Sequence, residues 1–257
     1  MSPITHQEVT PDILTLFNPN NPTMPRAFNV LEGTARGHIV VDNLTQPTWV
    51  VVRDATYGTL YFGGEINAPL VDTLVTHFLP LGDVGIGCQL DSALNQMLPP
   101  HPNYDGYTLY FTQRSPQVDL QPFIRQLPSG YSLMPRDERL FAQSFDYDST
   151  LASFGTVGNV MRYTLGAVIV QGDTVLCEAA TGAPTQGRIE IGVTTLESQR
   201  RRGFATMTCA RLIKICESQG YATWWDCAKQ NTPSVRLARK LGYQNEMEYH
   251  HVCWLKR

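Results

Sequence analysis

Arg200-Arg201-Arg202-Gly203-Phe204-Ala205 separates an alternating apolar run, Ile189-Glu190-Ile191-Gly192-Val193-Thr194, from a segment of helical periodicity that runs from Phe204 to Ser218. A strand, a basic glycine-containing turn and a helix start form an anion site in combination. The first N–H groups of a helix have no partner within it, and the helix dipole favours negative charge there. Gly203 lets the backbone approach a phosphate closely, and Ala205 keeps the first turn thin. Three arginines add forked donors suited to phosphate oxygens. The stretch therefore predicts a phosphorylated ligand, against the plainer reading of a solvated basic loop.

The segments around this turn supply its context. Tyr131–Met134 reads as a strand, and Ser144–Ser153 as a helix or ordered loop. Leu165–Val170 and Thr174–Ala180 read as strands joined by Gln171-Gly172-Asp173 in a tight hairpin. After the turn, Ala205, Cys209, Leu212 and Cys216 share one helix face, and Gly220 stops the helix. Tyr221–Ala228 is strand-like, with Trp224-Trp225 giving bulk; at least one of the pair belongs in the core. Thr232 reads as the N-cap of the next helix, with Pro233 at its first position and Gly242 at its end. Leu237, Ala238 and Leu241 face inward, and Glu248–Leu255 forms a closing strand.

The order of three strands, anion turn, helix, strand, helix, strand resembles the GNAT superfamily of N-acetyltransferases from about Gly130 to Arg257. That family's central motif is Gln or Arg, two residues, Gly, one residue, Gly or Ala; Arg200, Gly203 and Ala205 match it. An Asn opening the following helix and a Gly-aromatic pair closing it are matched by Asn231 and Gly242-Tyr243. Trp225-Asp226-Cys227, Asn231, Ser234, Leu237-Ala238 and Lys240-Leu241-Gly242-Tyr243 are similar to a bacterial group with an extra N-terminal domain, which includes a zwittermicin-type resistance acetyltransferase.

The resemblance implies acetyl-CoA as donor, with no metal, and direct attack by a primary amine. Its pyrophosphate would lie on Arg200, Arg201, Arg202, Gly203, Phe204, Ala205 and Thr206. Val193, Thr194 and Thr195 would pair with the pantetheine arm, and Asn231 and Ser234 would shape its channel. A backbone N–H at Val193 would hold the oxyanion, and Glu190 is the candidate base, directly or through water. The tyrosine that often protonates the leaving thiolate is replaced by Ala238, so Tyr243, Ser234, Cys227 and water stay open for that role. Each candidate also has a structural reading: Glu190 as an ion-paired carboxylate, Asn231 as a helix cap, Ser234 as a local backbone partner, Cys227 as a small buried hydrophobe.

The first half carries no catalytic motif. Phe17–Arg26 reads as a loop, and Gly37–Val41, Thr48–Arg53 and Thr59–Phe62 as strands. Ala68–Phe78 reads as a helix, Asp105–Thr112 as a strand and Ser115–Ser129 as a linker. Gly58–Gly64 followed by the helix at Ala68 reads as a worn copy of the strand–turn–helix unit, without its basic residues. The expected organisation is thus an α/β (α+β) protein in two parts. Residues 1–127 would form an α/β domain with the character of a degenerate GNAT-like copy, and 128–257 a GNAT-like mixed sheet flanked by helices.

Composition narrows the partners. A chain of 257 residues with net charge −3 lacks the broad positive surface of a general nucleic-acid binder. No apolar run reaches bilayer length, and Met1–His6, without a basic start and apolar stretch, does not read as a secretory leader. The six cysteines show no zinc spacing, and His250-His251 would point to opposite faces of a strand. A cytoplasmic enzyme is expected. Its acceptor would be a small-molecule amine or, alternatively, a protein N-terminus or lysine. A longer acyl-CoA donor and a non-catalytic CoA-binding module are the two rival readings.

Overall fold

The structure, a computed structural model, describes residues 1–18 and 21–256. Pro19 and Asn20, within the expected Phe17–Arg26 loop, lie outside the described residues. The chain forms two compact units. One comprises Met1–Leu109, Ala228–Gln230 and Glu248–Arg257; the other comprises Tyr110–Cys227 and Asn231–Met247. The boundary expected near Leu127 falls within the second unit. Each unit also includes chain from the other half of the sequence.

In chain order the elements of the first half are β1 (Ser2–Ile4), α1 (Pro11–Thr15), α2 (Pro25–Leu31), β2 (Gly37–Val41), β3 (Trp49–Asp54), β4 (Thr59–Gly64), α3 (Ala68–Phe78), β5 (Val84–Gln89), α4 (Ala93–Gln96) and β6 (Tyr104–Arg114). Strands β1 to β4 pair antiparallel in succession. β4 and β5 pair parallel at Thr59↔Gly85 and Leu60↔Ile86. Alternation divides the core into two faces. Leu60 and Ile86 pack with Val71, Leu74, Val75 and Phe78 of α3, while Val50, Val52 and Tyr61 pack with α2 residues Ala27, Phe28 and Leu31.

The second half runs α5 (Gln121–Ile124), β7 (Ser132–Pro135), α6 (Glu138–Phe141), α7 (Tyr147–Phe154), α8 (Val157–Tyr163), β8 (Gly166–Gln171), β9 (Thr174–Thr181), β10 (Arg188–Thr195), α9 (Phe204–Ser218), β11 (Ala222–Ala228), α10 (Thr232–Lys240) and β12 (Tyr243–Trp254). Strands β7 to β10 pair antiparallel in succession. β10 and β11 pair parallel from Arg188↔Ala222 to Glu190↔Trp224. Each unit is therefore a mixed sheet flanked by helices. Both contain the same strand–turn–helix–strand crossover, β4–α3–β5 in one and β10–α9–β11 in the other.

Several expectations shift in detail. Ser115–Ser129 is not a free linker: Ser115 N–H donates to Gly242 O, and α5 packs on α9. Asn231, not Thr232, is the N-cap of α10, its Oδ1 accepting from Ser234 N–H at 3.3 Å. The closing strand begins at Tyr243 rather than Glu248. Its last residues belong to the first unit, where Tyr249–Trp254 pair antiparallel with Gln89–Val84. The sequence leaves α8 unread because its only fully buried side chain is Val160, too little for a periodic signal.

Candidate functional site

The site begins where the β10–β11 ladder ends. Beyond Glu190↔Trp224, β10 continues to Thr195 against β9, from Ile191↔Thr181 to Thr195↔Cys177. Residues opposite each other in this ladder share a face. One face, Cys177 with Thr195, lies against α9: the two side chains are 3.1 Å apart, and Thr208 of α9 donates to the Cys177 sulfur at 3.4 Å. Glu190, Gly192 and Thr194 occupy the opposite face. Gly192 is exposed, and a side chain there would meet only Ala180 O, at 3.7 Å.

That open glycine is the end of a row of small residues. Gly192 pairs with Ala180, which pairs with Gly166. At the far end the stem and Nε of Arg136 occupy the space a Gly166 side chain would need. Arg136 is buried there, bound to Glu178 at 2.7 Å and to Thr164 at 2.6 Å. The row is thus closed over Gly166 and open over Gly192, beside the half-buried Glu190.

The turn that follows β10 is built to leave donors unspent. Arg200 Nε donates to Thr195 O, tying the turn to the strand end. Arg202 lies over the rings of Tyr131 and Phe204, 5.1 and 5.2 Å from their centroids, and also donates to Gln199 Oε1. Arg201 is exposed with φ +64°, and Gly203 follows with φ +81°. Both lie in the left-handed region, which disfavours side chains and suits glycine. Gly203 is the N-cap of α9 and supplies no side-chain cap; Met207 N–H donates to Gly203 O at 3.2 Å. The N–H groups of Phe204, Ala205 and Thr206 therefore point out of the helix with no side-chain acceptor among the described residues, directly after three arginines in the chain. Phe204 is buried against Ile169, Leu176, Cys177 and Met207 and anchors this start.

The remaining predicted residues divide. Asn231 caps α10, and Ser234 is occupied, its Oγ accepting from Trp225 Nε1 at 3.0 Å. Trp224 and Trp225 are both buried. Tyr243 is buried, with its hydroxyl donating to Thr223 at 2.8 Å and burial pushing its ionisation far up. Burial also raises the Cys227 thiol, and Ala238 is fully buried with no hydroxyl to offer. Of the four open choices for an acid, Tyr243 thus has its proton engaged with Thr223, while Ser234, Cys227 and water keep theirs. His250 and His251 sit on opposite faces of β12: His250 binds Asn95 and Asp105, whereas His251 lies near Tyr104. Two features escape sequence reading, the open row over Gly192 and the stacking of Arg202 on Tyr131. The only sequence cue to the first was a lone glycine inside an Ile-Glu-Ile-Gly-Val run.

Comparison with known proteins bears on the fold and the family. The chain resembles a GCN5-related N-acetyltransferase-like protein from Streptococcus suis 89/1591 in fold, with a TM-score of 0.73, 23% identity and coverage of 93% of this chain and 96% of that one. A tandem GNAT protein from the clavulanic acid biosynthesis pathway matches with a TM-score of 0.53 and 10% identity, over 87% and 84% of the two chains. An uncharacterized N-acetyltransferase of Bacillus subtilis (strain 168), YdfB, is 30% identical over 126 residues, so the match spans about half of each protein, 48% of both. The profile described as GNAT acetyltransferase matches residues 15–252. The chain therefore belongs to the GNAT acetyltransferase family.

Proposed function

We propose that the second unit transfers an acetyl group from acetyl-CoA to a primary amine by direct attack. The observation that carries this reading is the pairing of an uncapped, arginine-flanked helix start with an open strand face at the end of the β10–β11 ladder. The first suits a pyrophosphate. The second leaves room for an acceptor between Glu190 and Thr194.

In this reading the diphosphate of the donor rests on the N–H groups of Phe204, Ala205 and Thr206, with Arg200, Arg201 and Arg202 around it. The pantetheine arm follows Val193, Thr194 and Thr195. The acceptor approaches over Gly192. Its nitrogen attacks the thioester carbon, and the Val193 N–H stabilises the oxyanion that develops. Glu190 takes the ammonium proton, directly or through one water, and the C–S bond breaks. Ordinary thiols titrate near 8.5, so the departing thiolate takes its proton from water without a dedicated acid. That assignment fits the engaged, buried hydroxyl of Tyr243. Asn231 contributes by fixing the start of α10.

The acceptor class this supports is a small-molecule amine, with protein amines as the alternative. A thiol-release assay with acetyl-CoA and a panel of amines tests the reading. Amine-dependent release well above the rate of hydrolysis is expected. Hydrolysis alone with every amine would leave a CoA-binding module, and faster release from longer acyl-CoA thioesters would move the donor class.

A further inference from the structure

The first unit has its own gap at the end of its parallel ladder. β4 and β5 part after Leu60↔Ile86. A cavity of about 160 Å³ opens there, lined among the described residues by Leu60, Tyr61 and Phe62 of β4, Cys88 and Gln89 of β5, and side chains that flank them. It is not a second phosphate site. The turn from Gly64 to Asn67 carries Glu65 and no cation. The first turn of α3 is closed: Asn67 Oδ1 accepts from Leu70 N–H at 3.0 Å, and Pro69 has no N–H.

We infer that this cavity is a small-molecule site of the first unit that takes an uncharged, mainly apolar molecule of roughly six to eight non-hydrogen atoms bearing one hydrogen-bond acceptor. Size sets the first term, because an engineered apolar cavity of ~150 Å³ accepts benzene. The lining sets the second: Met24, Leu60, Phe62, Ile66 and Leu94 are apolar, and no Lys, Arg, Asp or Glu is among the described lining residues. A charge there would meet no opposite charge among the described lining residues and would lose part of its hydration. The polar groups are mostly spent. Ser92 Oγ donates to Gln89 O and accepts from Asn95 N–H. The Cys88 thiol donates to Asn95 Oδ1, and burial raises its pKa to about 11, so it offers no thiolate. Asn21 turns its Oδ1 to Thr23, which leaves its amide NH₂ as the donor for a ligand acceptor.

Benzyl alcohol is a suitable probe, followed by saturation-transfer NMR on the full chain, with benzoate and benzylamine as charged counterparts. Saturable binding of the alcohol is expected, at least tenfold tighter than either ion. Ile66→Trp, at the half-buried rim, and Leu94→Trp, on another wall, are each expected to weaken it at least tenfold. A CoA titration of the same variants should be unchanged, which separates loss of the cavity from loss of the fold and from failure of the acetyltransferase reading. Absence of saturable binding, equal binding of benzoate, or unchanged binding in both tryptophan variants would each overturn the assignment.

Discussion

The two crossovers of this protein, β4–α3–β5 and β10–α9–β11, have the same order and pairing but opposite chemistry at their turns. α9 starts at an exposed left-handed glycine with no side-chain cap and three arginines before it. α3 starts at Asn67, whose side chain occupies its own helix end, and continues with Pro69. The strand faces differ in the same sense. In the second unit Glu190 and Gly192 lie on the face away from α9, and Gly192 is open. In the first unit Tyr61 and Gly63 lie on the face away from α3. There Tyr61 is buried, with its hydroxyl donating to Asp54 at 3.1 Å. A side chain at Gly63 would meet Val50, Leu16 O and Phe17 within about 3.1 Å, and Gly64 N–H donates to Leu16 O at 2.9 Å. The chain after α1 plugs the face that β10 leaves free. One architecture thus leaves a helix start and strand face open in one unit and closes both in the other, and the difference is made by a handful of side chains at two places.

The largest expected effect is on chemistry. Glu190→Gln should lower kcat about 10²–10⁴-fold, the usual range for a general base, with the acetyl-CoA KM within about twofold. Steady-state kinetics with the best amine from the panel measures this. A kcat within a factor of three would return Glu190 to a structural carboxylate. Next comes the turn. Gly203→Glu places a β-carbon at φ +81° and a negative charge among the phosphate donors, and should weaken CoA by about 100-fold or ~2.7 kcal/mol, read by calorimetric titration. Glu65→Arg in the first unit makes the opposite charge change at a closed helix start and should leave the CoA titration untouched.

A smaller effect is expected at the acceptor face. Gly192→Leu keeps the backbone and fills the open end of the Gly166–Ala180–Gly192 row. The amine KM should rise about tenfold, the scale of a few kcal/mol or less for crowding a pocket, while CoA binding persists. An unchanged amine KM would place the acceptor elsewhere.

How much of this was legible in the sequence follows from where the signals lie. The α9 turn could be read because it is local: strand, arginines, glycine and helix are contiguous, and backbone geometry fixes the strand–turn–helix they form. The hairpin at Gln171-Gly172-Asp173 was legible for the same reason, as was the existence of the helix around Pro233. The open face was not. It depends on Gly166, Ala180 and Gly192 falling in one row across three strands, which is a matter of register. Tyr243 kept its place as an acid candidate because nothing local predicts that Thr223 claims its hydroxyl. The assignment of Glu248–Arg257 to the first unit was equally hidden, since a strand pattern does not name its neighbour. The N-cap of α10 was misread by one residue, a small offset between two capping-competent residues, Asn231 and Thr232.

The smallest expected effect tests the first unit by itself. Asn67→Ala removes the acceptor of Leu70 N–H and should cost ~1 kcal/mol of stability, the usual worth of a capping side chain. Asn67→Gly should cost only a few tenths of a kcal/mol, because glycine at a cap lets water reach the freed donor. Denaturant titration of both variants gives the ordering. α3 buries Val71, Leu74, Val75 and Phe78, so the helix itself is held by packing and survives either change. The informative result is that Asn67→Gly does not create a second CoA site. It uncaps the helix as Gly203 does for α9, yet Pro69 still withholds one donor and Glu65 still sets the wrong sign of charge. An added CoA equivalent in the titration of Asn67→Gly would mean that the cap alone had closed the site, and that the proline, the acidic turn and the plugged strand face were incidental to the difference between the two crossovers.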